Sequence, residues 1–145
     1  MNLYRAIALA FALAFTAVGL VFLLAPGQVV ALFDEVARAT ARPGMPAGDA
    51  GSGLFRALAV AYMYLVALLA WMMYRRPAEP TWPALLAQAK LASAALSVGL
   101  WVAHGPYLVY LVNGVVDGLI GAAALVLRRQ AASLQRELRT TTSVR

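Results

Sequence analysis

The stretch YLVYLVNGVVDGLIGAAALVL, residues 107–127, decides the fold of this protein. Its only charged residue is Asp117, and its length matches the roughly 20 residues that an α-helix needs to cross about 30 Å of hydrocarbon. A carboxylate at the centre of a bilayer is costly unless it is protonated, paired or hydrated. Asp117 therefore marks either a working site or a special packing contact, and no other ionisable residue is predicted to lie as deep.

The composition of the chain indicates that its solvent is lipid. Of 145 residues, 63% are hydrophobic and 12% are charged, and the mean hydropathy is +0.76. A soluble domain usually carries about twice that charged fraction. Cysteine is absent and His104 is the single histidine, which excludes disulfides, thiolate catalysis and a cysteine or multi-histidine metal centre within one chain. We expect no metal and no cofactor.

Hydropathy predicts an all-α membrane protein, a bundle of four transmembrane helices. Each span is a long apolar run, and only the third and fourth contain strongly polar residues. The predicted spans are residues 6–25, 57–74, 84–102 and 107–127. The first resembles a secretory signal in having Arg5 before it, but its length indicates a retained helix.

The distribution of arginine predicts the orientation. The loop between the second and third spans and the tail after the fourth hold Arg75, Arg76, Arg128, Arg129, Arg136, Arg139 and Arg145. The arginines of the first loop are instead balanced by Asp34, Glu35 and Asp49. The positive-inside rule then places both termini in the cytoplasm, most simply of a bacterial inner membrane. The net charge of +6 is read as this topological signal, and not as a nucleic-acid surface.

The connections differ in character. Residues 28–42 alternate apolar and charged positions at helical spacing, which predicts a short amphipathic helix after the first span, ended by Pro43-Gly44. Gly105-Pro106 predicts a very tight turn between the last two spans. Residues 1–139 are predicted to form a single domain, and residues 140–145 a flexible tail.

The tight turn sets the register of the last two spans. Ser97 and Asn113 each lie eight residues from Gly105, and Ser93 and Asp117 each lie twelve residues from it. Because antiparallel helices rise equally on both sides of a turn, each pair is predicted at one depth. The expected site is a hydrogen-bonded ladder, Asn113 with Ser97 and Asp117 with Ser93.

Lys90 lies one turn further along the same face of the third span. It is near enough to pair with Asp117. Its four-carbon stem also lets the ammonium reach the membrane surface, and a solvated Lys90 is the slightly favoured alternative.

Small residues accompany the polar ones and favour a packing role. Gly114, Gly118 and Ala122 form one row on the fourth span, and Ala89 begins another on the third. Such rows let helices approach closely, so that serine and asparagine bond across the interface. Two interpretations of Asp117 stay open: a packing residue whose charge is met by Lys90, or a binding site for a proton, cation or ligand.

The first span carries a family resemblance. The run TAVGLVFLLAP, residues 16–26, followed by Leu32-Phe33, resembles the opening of small four-helix bacterial membrane proteins, DoxX-like ones among them. The resemblance implies the four-helix fold and assigns no activity and no site residue.

Three functions remain after the motifs are weighed. The chain has no phosphate-binding glycine loop and no catalytic motif, so we expect no enzyme. The first hypothesis is a non-enzymatic accessory or structural subunit that docks with other membrane subunits or with itself. The second is a small transporter or channel that binds a proton or cation at Asp117, with Asn113, Ser93, Ser97 and Lys90 around it. The third is a lipid- or quinone-binding module.

Overall fold

The computed structural model describes residues 2–41 and 52–143, and these form five α-helices. In chain order they are α1 (Asn2–Leu24), α2 (Pro26–Ala39), α3 (Ser52–Arg75), α4 (Thr81–His104) and α5 (Leu108–Ser143). α1, α3, α4 and α5 are long and apolar enough to cross a membrane. The predicted all-α class and the four candidate membrane-spanning helices are therefore confirmed, which indicates a membrane protein.

The short second helix begins two residues earlier than the predicted amphipathic segment. Pro26 occupies its first turn, where the missing N–H of proline is not needed. α2 packs on α1 and on α5, and its Ala37 is buried while Asp34 and Glu35 are exposed. The predicted end at Pro43-Gly44 lies outside the described residues.

The last helix continues well past the predicted fourth span, which ends at residue 127. α5 has 36 residues and is about 54 Å long at 1.5 Å per residue, which exceeds the hydrocarbon thickness by about 24 Å. It continues to Ser143, so the first four residues of the predicted flexible tail are helical. Val144 and Arg145 lie outside the described residues.

Two antiparallel helix pairs build the bundle. α1 packs along α3, α4 packs along α5, and a narrower contact between α3 and α4 joins the pairs. The turn between α4 and α5 is as tight as predicted: Gly105 has φ 117°, a left-handed value that glycine adopts readily, and the Tyr107 N–H donates to the Gly105 carbonyl at 2.8 Å.

The core is concentrated at one end of the bundle. We call this the arginine end, because Arg75, Arg76 and Arg128 lie there; the opposite end, with α2 and the Gly105 turn, is the α2 end. Most of the core residues lie between the middle of the bundle and the arginine end: Tyr4, Ala8, Ala12, Phe15, Val66, Leu69, Ala70, Met73, Leu86, Ala87, Ala124, Leu127 and Ala131. The helices therefore pack closely at the arginine end, and less core is built at the α2 end.

Most of the apolar surface lies on the outside. In an apolar 18-residue stretch of each candidate span only 22% to 28% of the residues are buried within the chain, and the exposed side chains include Leu13, Leu20, Leu96 and Leu119. Patches of this extent occur where lipid or other protein covers them.

Candidate functional site

A buried ion pair joins α4 to α5. The Lys90 Nζ lies 2.8 Å from the Asp117 Oδ1, and the two side chains are 3% and 6% exposed. Lys90 follows Thr81 by nine residues and Asp117 follows Leu108 by nine, so each lies about 13 Å from the start of its helix. Lys90 therefore lies near the middle of α4, and Asp117 lies in the first third of the longer α5. In a hydrocarbon layer of about 30 Å that begins at the Gly105 turn, both would lie near the middle of the layer. The solvated alternative for Lys90, which the sequence slightly favoured, is not the arrangement in the structure.

Two aromatic rings from the other helix pair complete the surroundings of the ammonium. Lys90 Nζ lies 4.8 Å from the ring centroid of Phe15 on α1 and 5.0 Å from that of Tyr62 on α3. A cation within about 6 Å of a ring face is attracted to it, and the attraction is larger away from water. Lys90 thus holds a contact to each of the other three long helices.

The charges of the pair cancel locally. Burying either charge alone would cost several kcal/mol, whereas the short charge-assisted hydrogen bond and the two rings offset much of that cost. The site is consequently a neutral unit with a strong internal dipole. It favours one arrangement of α4 against α5, because neither charge has another charged partner among the described residues.

The neighbouring polar residues form a second cluster one turn nearer the α2 end. The Asn113 Nδ2 donates to the Ser97 Oγ at 2.7 Å and to the Ser93 Oγ at 3.2 Å. The Asn113–Ser97 contact is the one expected from the turn. The expected bond between Asp117 and Ser93 is not made: the carboxylate accepts from Lys90, and the Ser93 Oγ accepts from Asn113.

The four small residues predicted to pack between helices have different surroundings in the structure. Gly114 packs against Val98, where an added Cβ would lie 3.4 Å from the valine Cγ2, and Gly118 faces Ala94 with more room, 3.9 Å. Ala122 is exposed. Ala89 is half-buried, and its carbonyl accepts a hydrogen bond from the Tyr62 hydroxyl at 3.0 Å.

Gly121 is the packing residue that the sequence analysis missed. A Cβ placed there would lie 2.8 Å from the Cγ of Leu91, closer than real Cβ contacts. The signal was present, because a helical face alternates steps of three and four residues: Gly114, Gly118 and Gly121 follow that alternation. Phe15 carried no signal as a partner of Lys90, whereas the amphipathic Tyr62 could be expected to face the polar interior.

No metal centre is formed in residues 2–41 and 52–143, where no three histidine or carboxylate side chains come together. The fold and the ion pair define an all-helical protein with four candidate membrane-spanning helices and one buried charge pair. No protein-family model matches the chain, and neither a curated protein nor a solved structure is significantly similar to it. The resemblance in the first span therefore stands without further support.

Proposed function

We propose that this protein is a non-enzymatic accessory or structural subunit of a larger membrane assembly. Its mechanism is docking of an outer helix face against helices of a partner subunit. The proposal includes the orientation argued from the arginines, with both termini and the arginine end in the cytoplasm of a bacterial inner membrane.

The observation that carries the proposal is the outer face of α4. This face carries a row of exposed residues that are small or polar, flanked by exposed leucine and valine side chains: Gln88, Ala92, Ala95, Gly99 and Ala103. A Cβ at Gly99 would meet nothing within 4 Å, so the open space lies outside the chain. Small residues at this spacing let a second helix backbone approach closely.

Gln88 adds polarity to this face. Its exposed amide has both donors and an acceptor, and an amide in hydrocarbon is stabilised by a partner across a helix interface. The two buried charges, Lys90 of α4 and Asp117 of α5, are by contrast paired with each other inside the chain. A helix pair with its buried charges matched inside and a row of small residues outside suits docking better than catalysis.

The test is affinity purification after gentle solubilisation, followed by mass spectrometry of what is retained. We expect stoichiometric partner subunits with the unaltered chain and their loss in Ala92→Leu and Gly99→Leu. Ala14→Leu is the matched control, because Ala14 is an exposed alanine in α1 away from this face. A chain that is recovered alone, or an equal loss in Ala14→Leu, would contradict the proposal.

A second candidate is a small proton- or cation-coupled transporter or channel acting through Asp117. The position of a carboxylate and an ammonium near the middle of the spans favours it, since ionisable groups at that depth commonly serve transport. Transport by proteoliposomes that is abolished in Asp117→Asn, with the helical content and the oligomeric state unchanged, would establish this function. Flux retained in Asp117→Asn would exclude it.

A further inference from the structure

A cavity of about 470 Å³ lies at the α2 end, where the core is thin. Three phenylalanines line it, Phe22 from α1, Phe33 from α2 and Phe55 from α3, together with Ala59 and Val109. Its size falls in the range of small-molecule sites, about 300 to 1,000 Å³. One charged residue, Arg56, lines this otherwise apolar space.

The depth of the cavity follows from helix register. Ala59 precedes Tyr62 by three residues and Val109 precedes Asn113 by four, so each lies one turn from a polar residue of the central cluster. From Arg56 to the level of Tyr62 the rise is about 9 Å. The cavity is therefore an apolar slot with Arg56 at its outer end, and the polar residues Tyr62 and Asn113 lie about one helical turn beyond its inner end.

Arg56 has no counter-charge among the described residues. The carboxylates at the same end, Asp34 and Glu35 of α2, make no ion pair with it, and Asp49 lies outside the described residues. Arg56 is exposed and stands near the start of α3, at the level where a helix leaves the hydrocarbon. An arginine at this level matches the phosphate of a lipid headgroup in charge and geometry.

We infer that this cavity is a binding site for one anionic phospholipid. The guanidinium of Arg56 holds the phosphate, and one acyl chain enters the slot between the phenylalanines. The occupant is a lipid because the site joins a cation at the boundary to an apolar interior, and those are the two halves of a phospholipid. The inference is independent of docking through α4, since the cavity lies between α1, α2, α3 and α5.

The test uses the full chain in vesicles that contain equal amounts of phosphatidylglycerol and phosphatidylcholine. After extraction into mild detergent, native mass spectrometry counts the lipid that remains bound. We expect one phosphatidylglycerol per chain, and roughly tenfold less in Arg56→Gln, the effect of losing a hydrogen bond to a charged group. Arg56→Lys, which keeps the charge, should retain more lipid than Arg56→Gln.

Two further variants separate the parts of the site. Ala59→Trp should also lose the lipid, because the indole fills the slot while Arg56 stays in place. Arg38→Gln is the matched control: Arg38 is an exposed arginine at the same end whose Nε donates to the Asp34 carbonyl of its own helix. Equal retention of phosphatidylcholine, no bound lipid on the unaltered chain, or an equal loss in Arg38→Gln would each overturn the inference.

Discussion

The ammonium of Lys90 and the carboxylate of Asp117 meet at 2.8 Å although 27 residues separate them in the chain. The tight turn at Gly105 places the two helices side by side, and the pair then fixes how each is rotated about its axis. Inserting one residue between the turn and Asp117 would rotate Asp117 by about 100° around the axis of α5, away from Lys90. The contact therefore specifies the register of the hairpin as well as contributing to its stability.

Replacing only one partner of this pair should lower the stability of the protein. Lys90→Met or Asp117→Leu leaves one buried charge without its partner, and we expect each to lower the free energy of unfolding by about 3 kcal/mol. Denaturation in mild detergent, followed by circular dichroism, measures the loss.

The double variant, Lys90→Met with Asp117→Leu, is the control for this prediction. Removing both charges leaves no unpaired group, so the double variant should be more stable than either single one. Losses that simply add would show that the two side chains do not interact.

The close approach at Gly121 should be detectable by comparing two alanines. Gly121→Ala and Gly118→Ala gain the same helix propensity, but only the first places a Cβ 2.8 Å from Leu91. We expect Gly121→Ala to be less stable than Gly118→Ala by about 1 kcal/mol, the low end of the cost of overpacking. Equal thermal stability of the two variants in detergent would contradict the close contact.

The two serines that accept from Asn113 should differ in importance. The Ser97 bond is shorter, 2.7 Å against 3.2 Å, and Ser97 is buried while Ser93 is half-buried. Interhelical hydrogen bonds of this kind average about 0.6 kcal/mol. Ser97→Ala should therefore destabilise the chain more than Ser93→Ala. The reverse order in unfolding measurements would indicate that Asn113 relies on Ser93.

The proposed orientation can be tested by cysteine labelling, because the sequence has no cysteine of its own. Thr40→Cys places a thiol at the α2 end and Ser133→Cys places one on the exposed surface of α5 beyond the arginine end. A membrane-impermeant maleimide added to intact cells should label Thr40→Cys and should reach Ser133→Cys only after lysis. The opposite pattern would invert the topology.

The helices and the Asn113–Ser97 contact were predictable because they depend on local quantities. Hydropathy locates a span. Across a three-residue turn, residues equally far from the turn lie at the same depth on the two helices, which places Ser97 beside Asn113. The contacts of Lys90 were not predictable in the same way. α1 is apolar on all sides, so nothing in its sequence says which face turns inward, and the ring of Phe15 could not be assigned to the ammonium.

The predicted row of small residues on α5 did not include Gly121, for a different reason. The prediction used a constant step of four residues, which leads from Gly118 to Ala122. An α-helix has 3.6 residues per turn, so a step of three also stays on the same face, and it is Gly121 that lies against Leu91. The cavity beside Arg56 also lay beyond sequence reasoning, since it depends on how far the two helix pairs separate at the α2 end.

α5 runs without a break from the turn at Leu108 to Ser143, and about 24 Å of it extends past the thickness of a bilayer. A continuous helix has no joint along its length. A change in the tilt of α5 at Asp117 would therefore also change the position of its last turns, where Arg136 and Arg139 lie. The helix that carries the buried carboxylate also carries these two arginines, so a tilt of α5 as a rigid rod would displace both ends together.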